Sequence, residues 1–168
     1  MAGEIRIRAV AQDITVRAVA RGDHDAWQAL WHGYNVFYGR AWGADGAPPV
    51  PAEITAATWE RFFDAGEPVW ALVAEDATSG ALLGFTHYLF HRGTNYIEPV
   101  CYLEDLFTAE AARGKGVGRA LIAAVCEAAK AAGSRRVYWL TQEGNATARR
   151  LYDRVAEKSD FVVYEKEV

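Results

Sequence analysis

A chain of 168 residues, 51% hydrophobic and 24% charged, has the size and composition of one globular domain with a sizeable core. No apolar run approaches the ~20 residues of a membrane-spanning helix, and the opening residues alternate charge with Ile5 and Ile7 rather than forming the apolar heart of a signal peptide. The net charge of -4 hides an asymmetry: residues 111–154 hold nine Lys or Arg against three Asp or Glu, leaving the remainder strongly acidic. These basic residues gather around glycine turns rather than along one helix face with interleaved aromatics, which argues for a small polyanionic ligand and against nucleic acid.

Residues 14–19 alternate Ile, Val and Val with Thr and Arg, the period of a strand. A helix follows, with Asp23 as its N-cap and Trp27, Leu30, Trp31, Tyr34, Phe37 and Tyr38 recurring at helical spacing as an aromatic core stripe. Residues 39–51, rich in Gly, Ala and Pro, read as a loop whose Trp42 and Asp45 either edge a substrate pocket or belong to a surface loop without a role. A second helix is expected over 52–65, with Ile54, Trp59, Phe62 and Phe63 facing inward and Gly66 as its stop. Two apolar runs, 69–75 and 82–90, joined by a turn at 76–80, form an antiparallel hairpin, and a third strand at 100–107 carries the adjacent carboxylates Glu104 and Asp105. In a regular strand those two side chains point to opposite faces, so one pocket takes both only at a bulge. His87 and His91 share a strand face without further metal ligands. Cys101 and Cys126 have no metal-ligand spacing and read as buried free thiols of a reducing cytoplasm.

The most informative stretch is Arg113-Gly114-Lys115-Gly116-Val117-Gly118-Arg119, set between that third strand and a helix expected over 117–131 with Gly133 as its stop. Alternate glycines let successive amide N–H groups converge on one anion, and the following helix aims its free donors and positive dipole end at the same point. A P-loop would require Ser or Thr after Lys115, where Gly116 stands. A dinucleotide fingerprint would require wider spacing between its last two glycines than that of Gly116 and Gly118. Beyond this helix, 137–141 reads as a strand, Asn145 as the N-cap of a short helix containing Ala148, Leu151 and Tyr152, and Phe161, Val162, Val163 and Tyr164 as a last strand closing the sheet.

Taken in order, Gly-Phe-Thr-His-Tyr (84–88), Tyr-Leu-Glu-Asp-Leu-Phe-Thr (102–108), the glycine loop, Trp-Leu-Thr-Gln-Glu-Gly-Asn (139–145) and Arg-Arg-Leu-Tyr (149–152) resemble the GCN5-related N-acetyltransferase (GNAT) family. The likeness covers most of residues 14–164 and is strongest to the diamine N-acetyltransferases and to the yeast-type polyamine and histone acetyltransferase group. The resemblance implies an α/β (α+β) fold: a mixed, mostly antiparallel sheet of six to seven strands, about four flanking helices, and a splay between the Glu104 strand and the Trp139 strand. It implies a single domain over 1–168, acetyl-coenzyme A as cosubstrate and no metal.

By position it puts Leu106, Phe107 and Thr108 beside the coenzyme's pantetheine arm. The pyrophosphate falls to Arg113, Gly114, Lys115, Gly116, Val117, Gly118 and Arg119, and Asn145 and Ala148 fall to the arm. Tyr152 falls to the leaving thiol and Glu104 to the amine as base or anchor. Asp105, Phe37, Tyr38 and Tyr138 fall to the substrate side. The diamine enzymes carry an acidic residue near the position of Phe37 and Tyr38, which this chain lacks. The resulting expectation is acetyl transfer to the primary amine of a small molecule (a polyamine, diamine or amino-acid-like compound) by a cytoplasmic homodimer that binds neither nucleic acid nor membrane. Acetylation of a protein lysine or N-terminus, and a non-catalytic acyl-coenzyme A-binding regulator, stand as alternatives.

Overall fold

β-branched and aromatic residues dominate the strands, and they build one sheet in a computed structural model that describes residues 7–8, 14–40 and 50–168. Trp42 and Asp45 lie outside the described residues. In sheet order the strands are β1 (Ile7–Arg8), β2 (Ile14–Ala18), β3 (Val69–Asp76), β4 (Leu82–His91), β5 (Val100–Thr108) and β6 (Val137–Tyr138). Neighbours pair antiparallel through β5, and β6 alone runs parallel, to β5. The helices are α1 (His24–Phe37), α2 (Ala52–Arg61), α3 (Val117–Ala131) and α4 (Ala146–Tyr152). The sheet is therefore mixed and mostly antiparallel, as expected, and among the described residues it has six strands, the low end of the expected number.

Two cores cover its two faces. Helix α3 presents Val117, Ala120, Leu121, Ala124, Val125 and Ala128 to Val16, Leu72, Tyr88, Cys101 and Leu103. Its small residues let the helix lie close on the strands. On the other face the α1 stripe of Trp27, Leu30, Trp31 and Tyr34 packs with Trp59 of α2 against Val73 and Phe85.

Several expectations are corrected. Residues 161–164 form no strand: Phe161 and Tyr164 are 87% and 92% exposed, and the sheet ends at β6. Strand β6 stops at Tyr138 because only Cys101 and Tyr102 of β5 offer it a partner. Helix α2 ends at Arg61, and Ile54 is half exposed rather than inward. Phe37 also leaves the core, at the far end of α1. Cys101 is buried, but Cys126 is exposed on α3. Asp23 does not cap α1 with its side chain; its carboxylate instead accepts from the Ala20 N–H and from Arg17.

Arg17 ties this architecture together. It reaches Asp23 at 2.6 Å, just ahead of α1, and Glu75 of β3 at 2.7 Å, with all three side chains mostly shielded from water. Burial pushes the Asp23 carboxyl up, but the Arg17 guanidinium and the Ala20 N–H outweigh it and hold the group below its ordinary value. A depressed carboxyl stabilises the fold fully above its ordinary value and loses that contribution as pH falls through the folded one. Replacing Arg17 with Ala should lower stability to denaturant by about 1–2 kcal/mol at pH 7. The gap from the unsubstituted chain should narrow as pH drops below about 4. A pH-independent gap would contradict this account.

Candidate active site

The site begins with an irregularity in β5. His87 of β4 faces Asp105 while Tyr88 faces Leu103, so Glu104 is an extra, unpaired residue. Such a bulge reverses the side-chain alternation. Before it, Cys101 and Leu103 enter the α3 core; after it, Leu106 takes that face and Phe107 turns to the α1 core. The bulge thus brings Glu104 and Asp105 to the same side, where a regular strand would have separated them. The Thr86 hydroxyl donates to the Asp105 carbonyl at 2.8 Å and secures the distorted backbone.

Two glycines permit the close approach this requires. A Cβ on Gly84 would lie 2.4 Å from the Phe107 carbonyl oxygen, and one on Gly33 would lie 3.0 Å from the Phe107 ring. Because the Ala109 N–H donates to the Leu83 carbonyl, antiparallel alternation turns the Phe107 N–H and C=O toward β4. The corresponding groups of Leu106 and Thr108 face the other way. On that side β6 has already ended, so the strands part and leave a gap.

The gap opens into a cleft of about 740 Å³ that runs from Tyr34, Phe37 and Tyr38 past Leu106, Phe107 and Thr108 to the glycine loop and α4. Gly114 and Gly116 adopt φ of 78° and 88°, a left-handed backbone that other residues resist, and so fold the loop back into α3. No side chain caps α3 and its first turn carries no acidic residue, so its leading N–H groups remain open to an external anion. Gly118 keeps α3 close to α4, since a Cβ there would lie 3.2 Å from Leu151. Across the cleft, Asn145 caps α4 by accepting from the Ala148 N–H at 3.3 Å. The Tyr152 ring rests edge-on against Trp139. Burial, and then the neighbouring Tyr38, push the Tyr152 phenol up to about 12.

At the α1 end stands a cluster of carboxylates and phenols. Burial, then the Asp105 charge, raise the Glu104 carboxyl, and Arg40 partly offsets them. Burial and Asp105 likewise push up the phenols of Tyr34 and Tyr38. Burial, then Glu104, push Tyr102 up to about 12. The guanidinium of Arg40 lies 5.6 Å from the Tyr38 ring centroid. Asp105, 13% exposed at its side chain, is bound by the buried His87, whose other nitrogen meets Trp27 of α1.

Of the residues expected at the site, Phe37, Tyr38, Leu106, Phe107, Thr108, Arg113, Gly114, Gly116, Val117, Gly118, Arg119, Asn145, Ala148 and Tyr152 line the cleft. Lys115, an exposed residue of the loop, does not. Glu104 and Asp105 stand beyond its rim, joined to it through Tyr34 and Tyr38. Tyr138 belongs to a separate hollow of about 360 Å³ with His91 and Arg136, and its hydroxyl pairs with His91 at 3.0 Å. Among the described residues no cluster of His, Cys, Asp or Glu is arranged to hold a metal.

Sequence reading missed Tyr34, Arg40, His87 and Trp27 as parts of this site. A signal existed for His87: it occupies the inward phase of an apolar strand, opposite another strand with an inward carboxylate, and two such groups need each other. Arg40 had no signal, since a lone basic residue after a helix is ordinary.

A family model described as the acetyltransferase (GNAT) family matches residues 27–156. The chain is 37% identical over 166 residues to the D-amino-acid N-acetyltransferase HPA3 of Saccharomyces cerevisiae, a match covering 99% of this chain and 98% of that protein. Among solved structures, AAC(6')-Iy bound to a bisubstrate analogue, CoA-S-monomethyl-acetylneamine, superposes with a TM-score of 0.75 at 21% identity, covering 92% of this chain and 98% of that one. A ribosomal-protein-alanine N-acetyltransferase from Brucella melitensis biovar Abortus gives 0.70 at 17% identity, covering 92% and 99%. Likenesses at such identities speak for the fold alone.

Proposed function

Because the chain belongs to the acetyltransferase (GNAT) family, we propose that it moves the acetyl group of acetyl-coenzyme A directly onto the primary amine of a small, amino-acid-like molecule. The observation that carries this reading is a cleft with an uncapped, basic helix head at one end and Tyr34 and Tyr38 at the other, with the carboxylate pair and Arg40 just beyond that rim. The helix head and loop suit a pyrophosphate. The gap beside β5 suits a pantetheine arm, with the Leu106 and Thr108 backbone as its hydrogen-bonding edge. Arg40 near Glu104 suits an acceptor bearing a carboxylate as well as an amine, which accords with the D-amino-acid substrate named for the yeast relative.

In this reaction the amine nitrogen attacks the thioester carbon, a C–N bond forms, and the carbonyl oxygen takes negative charge that the Leu106 N–H is placed to meet. The C–S bond then breaks. The amine loses one proton overall and the departing thiolate gains one. An alkyl amine near 10.4 and an ordinary Glu near 4.3 differ by about 6 units, or roughly 8 kcal/mol, so an unperturbed Glu104 is a poor base. The upward push on Glu104 from burial and Asp105 narrows that difference.

Tyr152, with its phenol near 12, stays protonated at neutral pH. Full proton transfer from it to a thiolate of ordinary value about 8.5 is uphill by about 3.5 units, or about 5 kcal/mol. Its part is to hold the developing thiolate by a hydrogen bond. Changing Tyr152 to Phe should reduce kcat roughly 10- to 100-fold and leave coenzyme affinity within about two-fold; an unchanged kcat would remove it from the reaction. The acceptor is identified by thiol release in a panel of D- and L-amino acids, diamines, polyamines and basic peptides. Turnover confined to polyamines or peptides would overturn the amino-acid reading, and coenzyme binding without turnover on any of them would favour a regulator.

The free cysteines accord with a cytoplasmic setting. A homodimer is supported by two features: an exposed strand-like segment at 161–164, and an outer edge of β6 that no strand covers among the described residues. Light scattering of the full chain should give twice the monomer mass, and removal of residues 160–168 should halve it. A monomeric full chain would refute this assembly.

A further inference from the structure

His87 is 2% exposed and has both ring nitrogens engaged: Trp27 Nε1 lies 3.1 Å from its Nε2, and Asp105 Oδ2 lies 2.8 Å from its Nδ1. An indole nitrogen can only donate, so Nε2 must be the bare, accepting nitrogen. The ring proton therefore sits on Nδ1 and is donated to the Asp105 carboxylate. The two partners thus select a single tautomer of this buried ring. Trp27 is itself completely buried, stacked on Trp31 and tilted against Trp59, so the donor has no freedom to turn away.

The aligned chain Trp27–His87–Asp105 ends at the acceptor side of the cleft. We propose that His87 is a positioning residue for acetyl transfer: it holds the Asp105 carboxylate in one orientation, with one oxygen bound to the ring and the exposed edge turned toward the amine of the acceptor. This assignment rests on the amine-acetylation reading above and adds to it a reason for the bulge at Glu104, without which Asp105 would face the α3 core. The groups around Asp105 suit an ammonium. Glu104 and Tyr102 flank it on β5, Tyr34, Tyr38 and Arg40 face it from α1 and the turn beyond, and His87 meets it from β4. Among these groups Arg40 is the one fixed positive charge. The negative charge of Asp105 is left for the substrate.

The test combines one readout that needs no acceptor with one that does. ¹⁵N NMR of the intact protein should show the His87 imidazole protonated at Nδ1 and bare at Nε2 at pH 7; a proton on Nε2 would overturn the proposal whatever the enzyme acetylates. With an acceptor from the amine panel, His87→Leu should raise the acceptor KM roughly 10- to 100-fold. It should leave the KM for acetyl-coenzyme A unchanged. His87→Asn, which places an amide donor near the Nδ1 position, should recover most of the acceptor affinity. Trp27→Phe keeps the aromatic packing and loses the indole donor, and should raise the acceptor KM by a smaller factor. Retained coenzyme binding establishes that each variant is folded. Equal changes in both KM values, or no rescue by Asn, would make His87 a purely structural residue. If no amine is acetylated by the unsubstituted enzyme, the functional reading fails, and the tautomer measurement still decides the positioning chain.

Discussion

One extra residue in β5 governs this molecule. Where Glu104 finds no partner on β4, the strand changes phase, and the change sorts four neighbours at once: Glu104 and Asp105 to one side together, Leu106 to the α3 core, Phe107 to the α1 core. A bulge leaves backbone groups without ladder partners, and a buried one must be compensated. Here the Thr86 hydroxyl takes the Asp105 carbonyl, and the missing side chain of Gly84 leaves room for the Phe107 carbonyl. Beyond the bulge β5 runs on to Thr108 with no β6 beside it, and the cleft occupies that space.

The two faces of the sheet answer different demands. The α3 side packs with Ala, Val and Leu, so that the head of a helix lies close over the end of β5 and its donors face the cleft. The α1 side is built from Trp, Tyr and Phe, whose large flat surfaces enclose a polar pair without wetting it, and whose indole nitrogen supplies the donor that His87 needs. Arg17 bears on both, because the ion pairs it makes with Asp23 and Glu75 hold the start of α1 against the sheet. The aromatic core is thus bonded through His87 to the carboxylate pair rather than standing as a wall behind it.

Much of this was legible in the chain itself. Helix α3 was read with its observed limits, because apolar period, glycine start and glycine stop agree there; the β3–β4 hairpin followed from two apolar runs and a turn. The carboxylate pair and the glycine loop were visible as residues out of keeping with their surroundings. What escaped was set by long-range pairing. The bulge depends on which residue of β4 meets which residue of β5, and local pattern contains no register. The brevity of β6 follows from the divergence of its neighbour. Phe161, Val162, Val163 and Tyr164 have the β-branched and aromatic composition of a strand but find no partner among the described residues, and propensity without a partner makes no strand.

The central claim is that the far edge of β5 beyond the bulge is open and serves as the hydrogen-bonding rail for the coenzyme's arm. Amide hydrogen exchange, resolved residue by residue with and without coenzyme A, tests it most directly. The account predicts that the Leu106 and Thr108 amides exchange readily in the free protein and become protected when the coenzyme binds, while the Phe107 amide, turned toward β4, is protected in both states. Leu106 and Thr108 amides that are already protected in the free chain, or that bound coenzyme A leaves unchanged, would contradict it.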